Sequence, residues 1–327
     1  MSSPQSSWHD ARVVRVRPAA ERTQEITLQF PTEYVVRPGD HIKVAIPAPV
    51  DDVRSYSAVR GAGNQVTISV LQTTNSRGGS LFMHGLHEGD TVRATGPSNN
   101  FPLRIGASHY VLVAGGIGIT AIRGMAEVLH RLGASYELHF AARSPEAAAF
   151  REELESTHGE NIHFYWASEG DFLDVDALIS AVKPGTELYM CGPIRLMEEI
   201  RRCWNQHGCE PTALRFETFG NSGWFKAEPF EVRIPQYDVS VMVGLDQSLL
   251  DAVQAAGVRI VNDCRRGECG LCQVKVLDSS AAIDHRDVFF SEKQKSDNHK
   301  MCSCVSRVAA LEPNNTHTTP TLTIEIP

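Results

Sequence analysis

The chain has no apolar run approaching the ~18 residues of a membrane span, so a helical membrane protein is not expected. Its opening residues, Met-Ser-Ser-Pro-Gln-Ser-Ser-Trp, lack a basic n-region and an apolar h-region. A secretory signal is therefore not expected, nor an oxidising compartment in which cysteines would pair; the expectation is a cytoplasmic protein. Repeats and long low-complexity tracts are missing. The nearest approach is the polar stretch Glu312 to Pro320, which reads as a surface loop before a final strand, Thr321 to Ile326. Excess positive charge is missing as well: a formal charge of -8 argues against nucleic acid as a partner. What remains is ordinary globular composition, 42% apolar and 21% charged over 327 residues, enough for two or three domains with their own cores.

Against this background the cysteines are unevenly placed. Cys264-Arg-Arg-Gly-Glu-Cys269-Gly-Leu-Cys272, followed later by Cys302 and Cys304, has the C-x4-C-x2-C…C spacing of a plant-type 2Fe-2S ferredoxin loop. Such a loop must wrap the cluster and bring three sulfurs to it, while a fourth arrives from a distant segment. Gly267 and Gly270 are expected to take positive φ and bring backbone amides close to the sulfurs. Structural zinc usually pairs two C-x2-C knuckles, and only one is present. Both Cys302 and Cys304 are open as the fourth ligand on spacing alone. Cys191, Cys203 and Cys209 stand outside this constellation.

A second signal is Tyr110-Val-Leu-Val-Ala-Gly115-Gly116-Ile-Gly118-Ile-Thr120-Ala121, leading into a helical pattern from Ile122 to Leu132. A buried-strand run that passes through glycines into a helix lets a pyrophosphate approach the backbone at the helix's positive end. Strand-like Glu137 to Ala142, a helix around Pro145 to Ser156, strand-like Ile162 to Ala167, and Glu187-Leu-Tyr-Met-Cys191-Gly192-Pro193 opening another helix continue the alternation of a doubly wound α/β sheet. Where the second strand ends, Ala141-Ala-Arg143-Ser144 lacks the acidic residue that usually grips the ribose 2′-hydroxyl of NAD.

Upstream, Val13 to Val16, Glu25 to Phe30, His41 to Ile46, Val66 to Leu71 and Thr91 to Ala94 alternate like short strands, with turns at Pro38-Gly-Asp40 and Glu88-Gly-Asp90. They predict a small antiparallel barrel. It contains Arg54-Ser-Tyr56-Ser57, and then Ser76-Arg-Gly78-Gly79-Ser80, where an arginine, hydroxyls and a glycine turn could hold a phosphate while Tyr56 packs on a flat ring.

In this order the three signals resemble the phthalate dioxygenase reductase type, which includes vanillate demethylase reductases. Further matching pieces are Asn100-Phe-Pro-Leu103, Cys191-Gly192-Pro193, Phe216-Glu-Thr-Phe219-Gly220, Asp284-His-Arg-Asp287 and Cys304-Val-Ser-Arg307. The resemblance covers nearly the whole chain. It implies a flavin-binding β-barrel over residues 1–104, an NAD-binding α/β domain over 105–221, and a C-terminal α+β, β-grasp, plant-type ferredoxin domain over 222–327. The short segment from Asn221 to Lys226 would link the last two. It implies FMN held by Arg54, Tyr56 and Ser57, with Ser57 near the reactive ring edge and Arg54, Gly78, Gly79 and Ser80 toward the phosphate. The barrel shows no further motif after Ser57 to hold the adenosine half of FAD. Gly115, Gly116, Gly118 and Thr120 would face the nicotinamide cofactor, Cys191, Gly192 and Pro193 would lie beside its ring, and Phe219 would cover the flavin. Because the family's fourth ligand precedes a Val-Ser-Arg sequence, the resemblance favours Cys304 beside Cys264, Cys269 and Cys272.

The family prefers NADH, while Arg143 leaves NADPH open, since an arginine could pair with a 2′-phosphate. The implied activity is an oxidoreductase that takes hydride from NADH and hands single electrons through FMN and the cluster to a Rieske-type oxygenase. The chain has no paired C-x-H and C-x2-H motifs of a Rieske centre, so that oxygenase would be a separate protein. Rival readings are an electron carrier whose upstream domains serve as scaffold, which the intact Arg54 and Gly115 to Thr120 motifs oppose, and a self-contained flavin reductase with an accessory ferredoxin domain. A flavin iron-sulfur reductase serving another acceptor protein is the remaining variant.

Overall fold

A computed structural model describes residues 7–47, 52–73, 78–218, 228–244, 247–309 and 319–327. Phe219, Ser76, the segment from Asn221 and most of the polar stretch after Glu312 lie outside the described residues. The chain forms two compact units, Met1–Gly192 with Glu199–Glu217, and Pro193–Glu198 with Thr218–Pro327.

The first unit opens with strands β1 (Trp8–Ala20), β2 (Thr23–Gln29), β3 (Asp40–Ile46), β4 (Asp52–Ala62) and β5 (Gln65–Leu71), the short helix α1 (Gly79–His84), and strands β6 (Thr91–Thr95) and β7 (Ser98–Asn99). The sheet order β4-β5-β2-β1-β6-β3 is closed by pairing of β3 with β4, and β7 adds to β3. The result is the expected antiparallel barrel, with no free edge among its six long strands. Alternation in each strand turns Val13, Ile26, Leu28, Ile42, Val44, Val66, Ile68 and Val92 into a dry interior.

The α/β part comprises β8 (His109–Gly115), α2 (Ile119–Arg131), β9 (Tyr136–Ala142), α3 (Arg151–His158), β10 (Ile162–Trp166), α4 (Val175–Ser180), β11 (Thr186–Gly192), α5 (Ile194–Gln206) and β12 (Leu214–Thr218); all of it lies in the first unit except the opening of α5 as far as Glu198 and the last residue of β12, Thr218, which group with the second. Strand order is β10-β9-β8-β11-β12, and β8 pairs in parallel with both β9 and β11. The first crossovers run outward through β9 and β10, and the chain then returns to add β11 on the other side of β8. The β8/β11 boundary is therefore the topological switch point, where open α/β sheets bind ligands at the strands' carboxyl ends. The helix expected from Pro145 to Ser156 is divided. A 3-10 turn at Pro145–Ala147 gives way to α3 only after Phe150, which sits at a left-handed φ of 64°.

The second unit contains β13 (Phe230–Ile234), β14 (Val239–Val243), α6 (Leu249–Ala255), β15 (Gln273–Ser279), β16 (Ala282–Asp284), α7 (Glu292–Asp297), β17 (Lys300–Cys302), β18 (Arg307–Ala309) and β19 (Thr321–Glu325). Its main sheet has the order β14-β13-β19-β15-β17, with β13 and β19 parallel. Helix α6, started by a Ser248–Asp251 capping box, contributes buried Leu249, Leu250 and Val253 to a core shared with Phe230, Val232, Val274 and Ile324. Among the described residues no helix is long and apolar enough to cross a membrane.

Candidate redox sites and the cofactor cradle

The cysteine loop lies between α6 and β15. All eight cysteines are free thiols; Cys272 and Cys304 are buried, while Cys264 and Cys269 are half-buried. Cys272 Sγ approaches Cys304 Sγ to 3.1 Å, and Cys264 hydrogen-bonds to the Cys269 side chain. Among the described residues no three potential ligands converge on one point as they would for a single ion. The thiols gather as two groups, Cys264 with Cys269, and Cys272 with both Cys302 and Cys304.

The backbone serves the same geometry. Amides of Arg266 and Cys269 point at Cys264 Sγ, each at 3.4 Å. Burial pushes the Cys264 thiol above its ordinary range, and these amides pull against that by favouring the thiolate. At Cys272 the hydrogen bonds from Cys302 and Cys304 outweigh burial and favour the thiolate. Gly267 and Gly270 have φ of 76° and 71°, as the loop reading expected. A Cβ on Gly267 would lie 2.7 Å from a Val305 methyl and 2.8 Å from Asp287 Cα, and one on Gly270 would strike the Phe289 ring at 2.3 Å. Cys302 is fully buried, with its backbone paired to Gln273.

The Asp284 to Asp287 and Ser306-Arg307 pieces brace this site, a role their residue types did not announce. Arg286 pairs with fully buried Asp284 at 2.7 Å. Asp287 accepts from the Phe290 amide at 2.9 Å and from the Ser306 hydroxyl at 3.2 Å. Arg307 donates to the carbonyls of Gln247, Gly244 and Glu228 and lies over the Phe230 ring. Buried charges are tolerable only when satisfied in this manner.

In the first unit, the Gly115 to Thr120 turn meets the end of β11 at the switch point. A Cβ on Gly118 would sit 2.1 Å from the Cys191 carbonyl oxygen, and one on Gly192 would sit 2.8 Å from Gly115 Cα. Both glycines are thus required by close backbone approach. Thr120, at the start of α2, is buried and donates to the Ile117 carbonyl at 2.9 Å, which fixes the turn. Cys191 is fully buried, and Pro193 follows directly before α5.

On the barrel, β4 carries Arg54, Tyr56 and Ser57 opposite Val44, Ile42 and His41 of β3. The Arg54 side chain lies against Gly79: a Cβ there would come within 3.1 Å of Arg54 Cγ and Nε. Gly78, at φ 88°, starts α1, and Ser80 Oγ accepts from the Thr73 amide at 3.3 Å. Burial, opposed by Arg54, holds the Tyr56 phenol well above its ordinary range, so it stays protonated as a donor.

A cleft of about 230 Å³ lies beside these elements, lined by Arg22, Gln72, Thr73, Gly116, Ile117 and Arg143 among others. It runs from Thr73, whose amide is bonded to Ser80, to the glycine turn of the α/β sheet. Arg22, Gln72 and Thr73 were not singled out in the sequence. Arg22 carries a left-handed φ of 57° in the β1–β2 turn, a feature that composition does not signal.

A barrel with an arginine–glycine cradle, an α/β sheet with a glycine turn at its switch point, and a four-cysteine loop together define an iron-sulfur electron-transfer reductase. The 2Fe-2S iron-sulfur cluster binding domain family matches residues 232–309. The vanillate O-demethylase oxidoreductase of Pseudomonas sp. (strain HR199 / DSM 7063) is 35% identical, with 83% of this chain and 87% of that protein covered. The heme-dependent oxidative N-demethylase beta subunit of Ectopseudomonas mendocina (strain ymp) is 34% identical, with 82% and 83% covered. A solved phthalate dioxygenase reductase, described as a modular structure for electron transfer from pyridine nucleotides to [2Fe-2S], superposes with a TM-score of 0.73 at 28% identity over 98% of both chains. The chain belongs to the phthalate dioxygenase reductase family, the reductase components of oxygenase systems.

Proposed function

We propose that this protein carries electrons from NADH through FMN to its 2Fe-2S cluster and on to a Rieske-type oxygenase in the cytoplasm. The observation that carries the reading is the shared cleft, where Thr73, bonded to the cradle residue Ser80, faces Gly116 and Ile117 of the glycine turn. That juxtaposition suits a flavin on the barrel beside a nucleotide on the sheet. When bound, FMN supplies the conversion of a transferred electron pair into single electrons.

The chain's residues position the reactants. Arg54, with Gly78, Gly79 and Ser80, would hold the flavin phosphate; Tyr56 would pack on the ring and donate its hydroxyl, and the Ser57 hydroxyl would meet the reactive edge. Gly115, Gly116 and Gly118 would admit the pyrophosphate, and Thr120 would secure that turn. Cys191, Gly192 and Pro193 would form the wall beside the nicotinamide, with Phe219 as a cover. Cys264 and Cys269 would hold one iron and Cys272 and Cys304 the other, which the 3.1 Å approach of the latter pair supports. Boundaries at 104/105 and 221/222 would separate the barrel, nucleotide and ferredoxin domains, since they fall between β7 and β8 and beyond β12.

NADH is the proposed donor although Arg143 lines the cleft, because Arg143 is exposed and an arginine on a strand-end loop is usually solvated. A haem-containing acceptor is the second reading, favoured by the name of the Ectopseudomonas relative. Extraction and chromatography should release FMN; FAD as the sole flavin would refute the cradle reading. Steady-state kinetics should favour NADH strongly, in the parent and in Arg143→Ala alike, and an NADPH preference that collapses in the variant would reverse the assignment of donor. Electron delivery to purified Rieske and haem oxygenases separates the two acceptors.

A further inference from the structure

Arg123 of α2 is almost wholly buried, and its guanidinium is divided among several partners. Nε donates to Glu153 Oε1 at 3.0 Å, Nη2 donates to Glu153 and Glu127, and Nη1 donates to the carbonyl of Val59 at 3.2 Å. Val59 belongs to β4, where the register against β5 shifts between Ala58 and Arg60. A residue at such an irregularity drops out of the ladder, so its carbonyl needs another donor. Arg123 supplies it. The arrangement is fastened from outside: Phe150, in its left-handed conformation, has Arg123 on its ring at 5.2 Å and Arg60 at 5.8 Å, and Arg60 also reaches Glu153 at 3.2 Å.

The location gives this bond its meaning. Val59 is two residues beyond Ser57 on one strand, and Thr120 is one turn before Arg123 on one helix face. We infer that Arg123 is a positioning residue for hydride transfer: it fixes the flavin-bearing strand β4 against the nucleotide-bearing start of α2. The inference rests on the functional reading above. A planar guanidinium can satisfy a carboxylate and a carbonyl at once in a fixed geometry, which a lysine cannot.

The test uses the full-length protein loaded with FMN, mixed anaerobically with NADH in a stopped-flow instrument, as parent, Arg123→Lys and Arg123→Met. Flavin affinity by fluorescence and the long-wavelength nicotinamide–flavin charge-transfer absorbance are recorded beside the rate. In Arg123→Lys the limiting flavin-reduction rate should fall about tenfold to hundredfold, the cost expected of a small misplacement, and the charge-transfer band should weaken. Flavin affinity and KM for NADH should change less than about twofold, since uniform binding is untouched. Arg123→Met should fall at least as far if it folds; if it does not, Arg123→Lys decides. A parent rate and band in folded, flavin-loaded Arg123→Lys would overturn the inference, as would a rate loss that only tracks flavin loss. A parent that neither retains flavin nor is reduced by NADH would instead refute the functional reading itself.

Discussion

Gly118→Ala probes the switch point most sharply. Gly118 has φ -58° and ψ -18°, values any residue adopts, so the substitution adds no backbone strain. Its methyl, however, would sit 2.1 Å from the Cys191 carbonyl oxygen and 2.5 Å from the carbonyl carbon, both on backbone that cannot rotate away. The turn and the end of β11 must then part by ~1 Å, a displacement worth up to ~100-fold in a rate that depends on alignment. Overpacking of this kind costs about 1–3 kcal/mol, or several degrees in the melting temperature of a unit this large. Stopped-flow reduction by NADH should therefore slow by about tenfold to hundredfold while flavin affinity holds. Gly124→Ala is the control. It lies on the same helix, its added methyl would be 3.7 Å from Pro38 Cα, and it should leave the rate alone and raise helix stability by up to ~1 kcal/mol. A Gly118→Ala protein with the parent's melting temperature and reduction rate would refute the close-packed switch point.

Cys304→Ser should abolish the cluster's visible absorbance and its electron paramagnetic resonance after reduction, whereas Cys302→Ser should keep both; the reverse pattern would exchange the two as fourth ligand. Arg54→Ala should weaken FMN retention by about tenfold to hundredfold, the loss of a charge-assisted contact worth roughly 1.5–3 kcal/mol, read by equilibrium fluorescence titration. Burial pushes the Glu153 carboxyl upward, but Arg123 and Arg60 outweigh it and hold the group below its ordinary value of 4.5. The stability it contributes is then fully present above pH 4.5 and lost as pH falls toward the lowered folded value. The melting-temperature gap between parent and Glu153→Gln should accordingly be open at neutral pH and close below about pH 4.5; a gap that widens in acid would contradict the sign.

Much of the architecture was legible because its signals are local. The cysteine loop declares itself by spacing, and Gly267 and Gly270 by the positive φ that its turns need. Strands of the barrel alternate, and the run from Tyr110 into α2 combines a buried strand, a glycine turn and a helix in one segment. The rest depends on contacts between residues far apart in sequence. Helix α1 is six residues long and begins at glycine, so it has no period to read. The break before α3 coincides with Phe150 adopting a conformation that its residue type disfavours, with its ring in contact with Arg60 and Arg123. Arg123 itself looks like a solvated helix residue until β4 is laid against it. Asp284, Arg286 and Arg307 stand out in the sequence only within family-matching segments, and the partners that bury and bond them are not legible there.

Electron flow through the chain is followed most directly by mixing the anaerobic, cofactor-loaded protein with NADH and recording flavin and iron-sulfur absorbance on one time base. The parent should bleach at the flavin first and at the cluster next, and then reduce a one-electron protein acceptor. Cys269→Ser should keep the first phase at the parent's rate while losing the second phase and all transfer to the acceptor. Reduction of the acceptor by folded, cluster-free Cys269→Ser at the parent's rate, or a parent whose cluster stays oxidised while its flavin is reduced, would contradict a path from nucleotide through flavin to iron-sulfur.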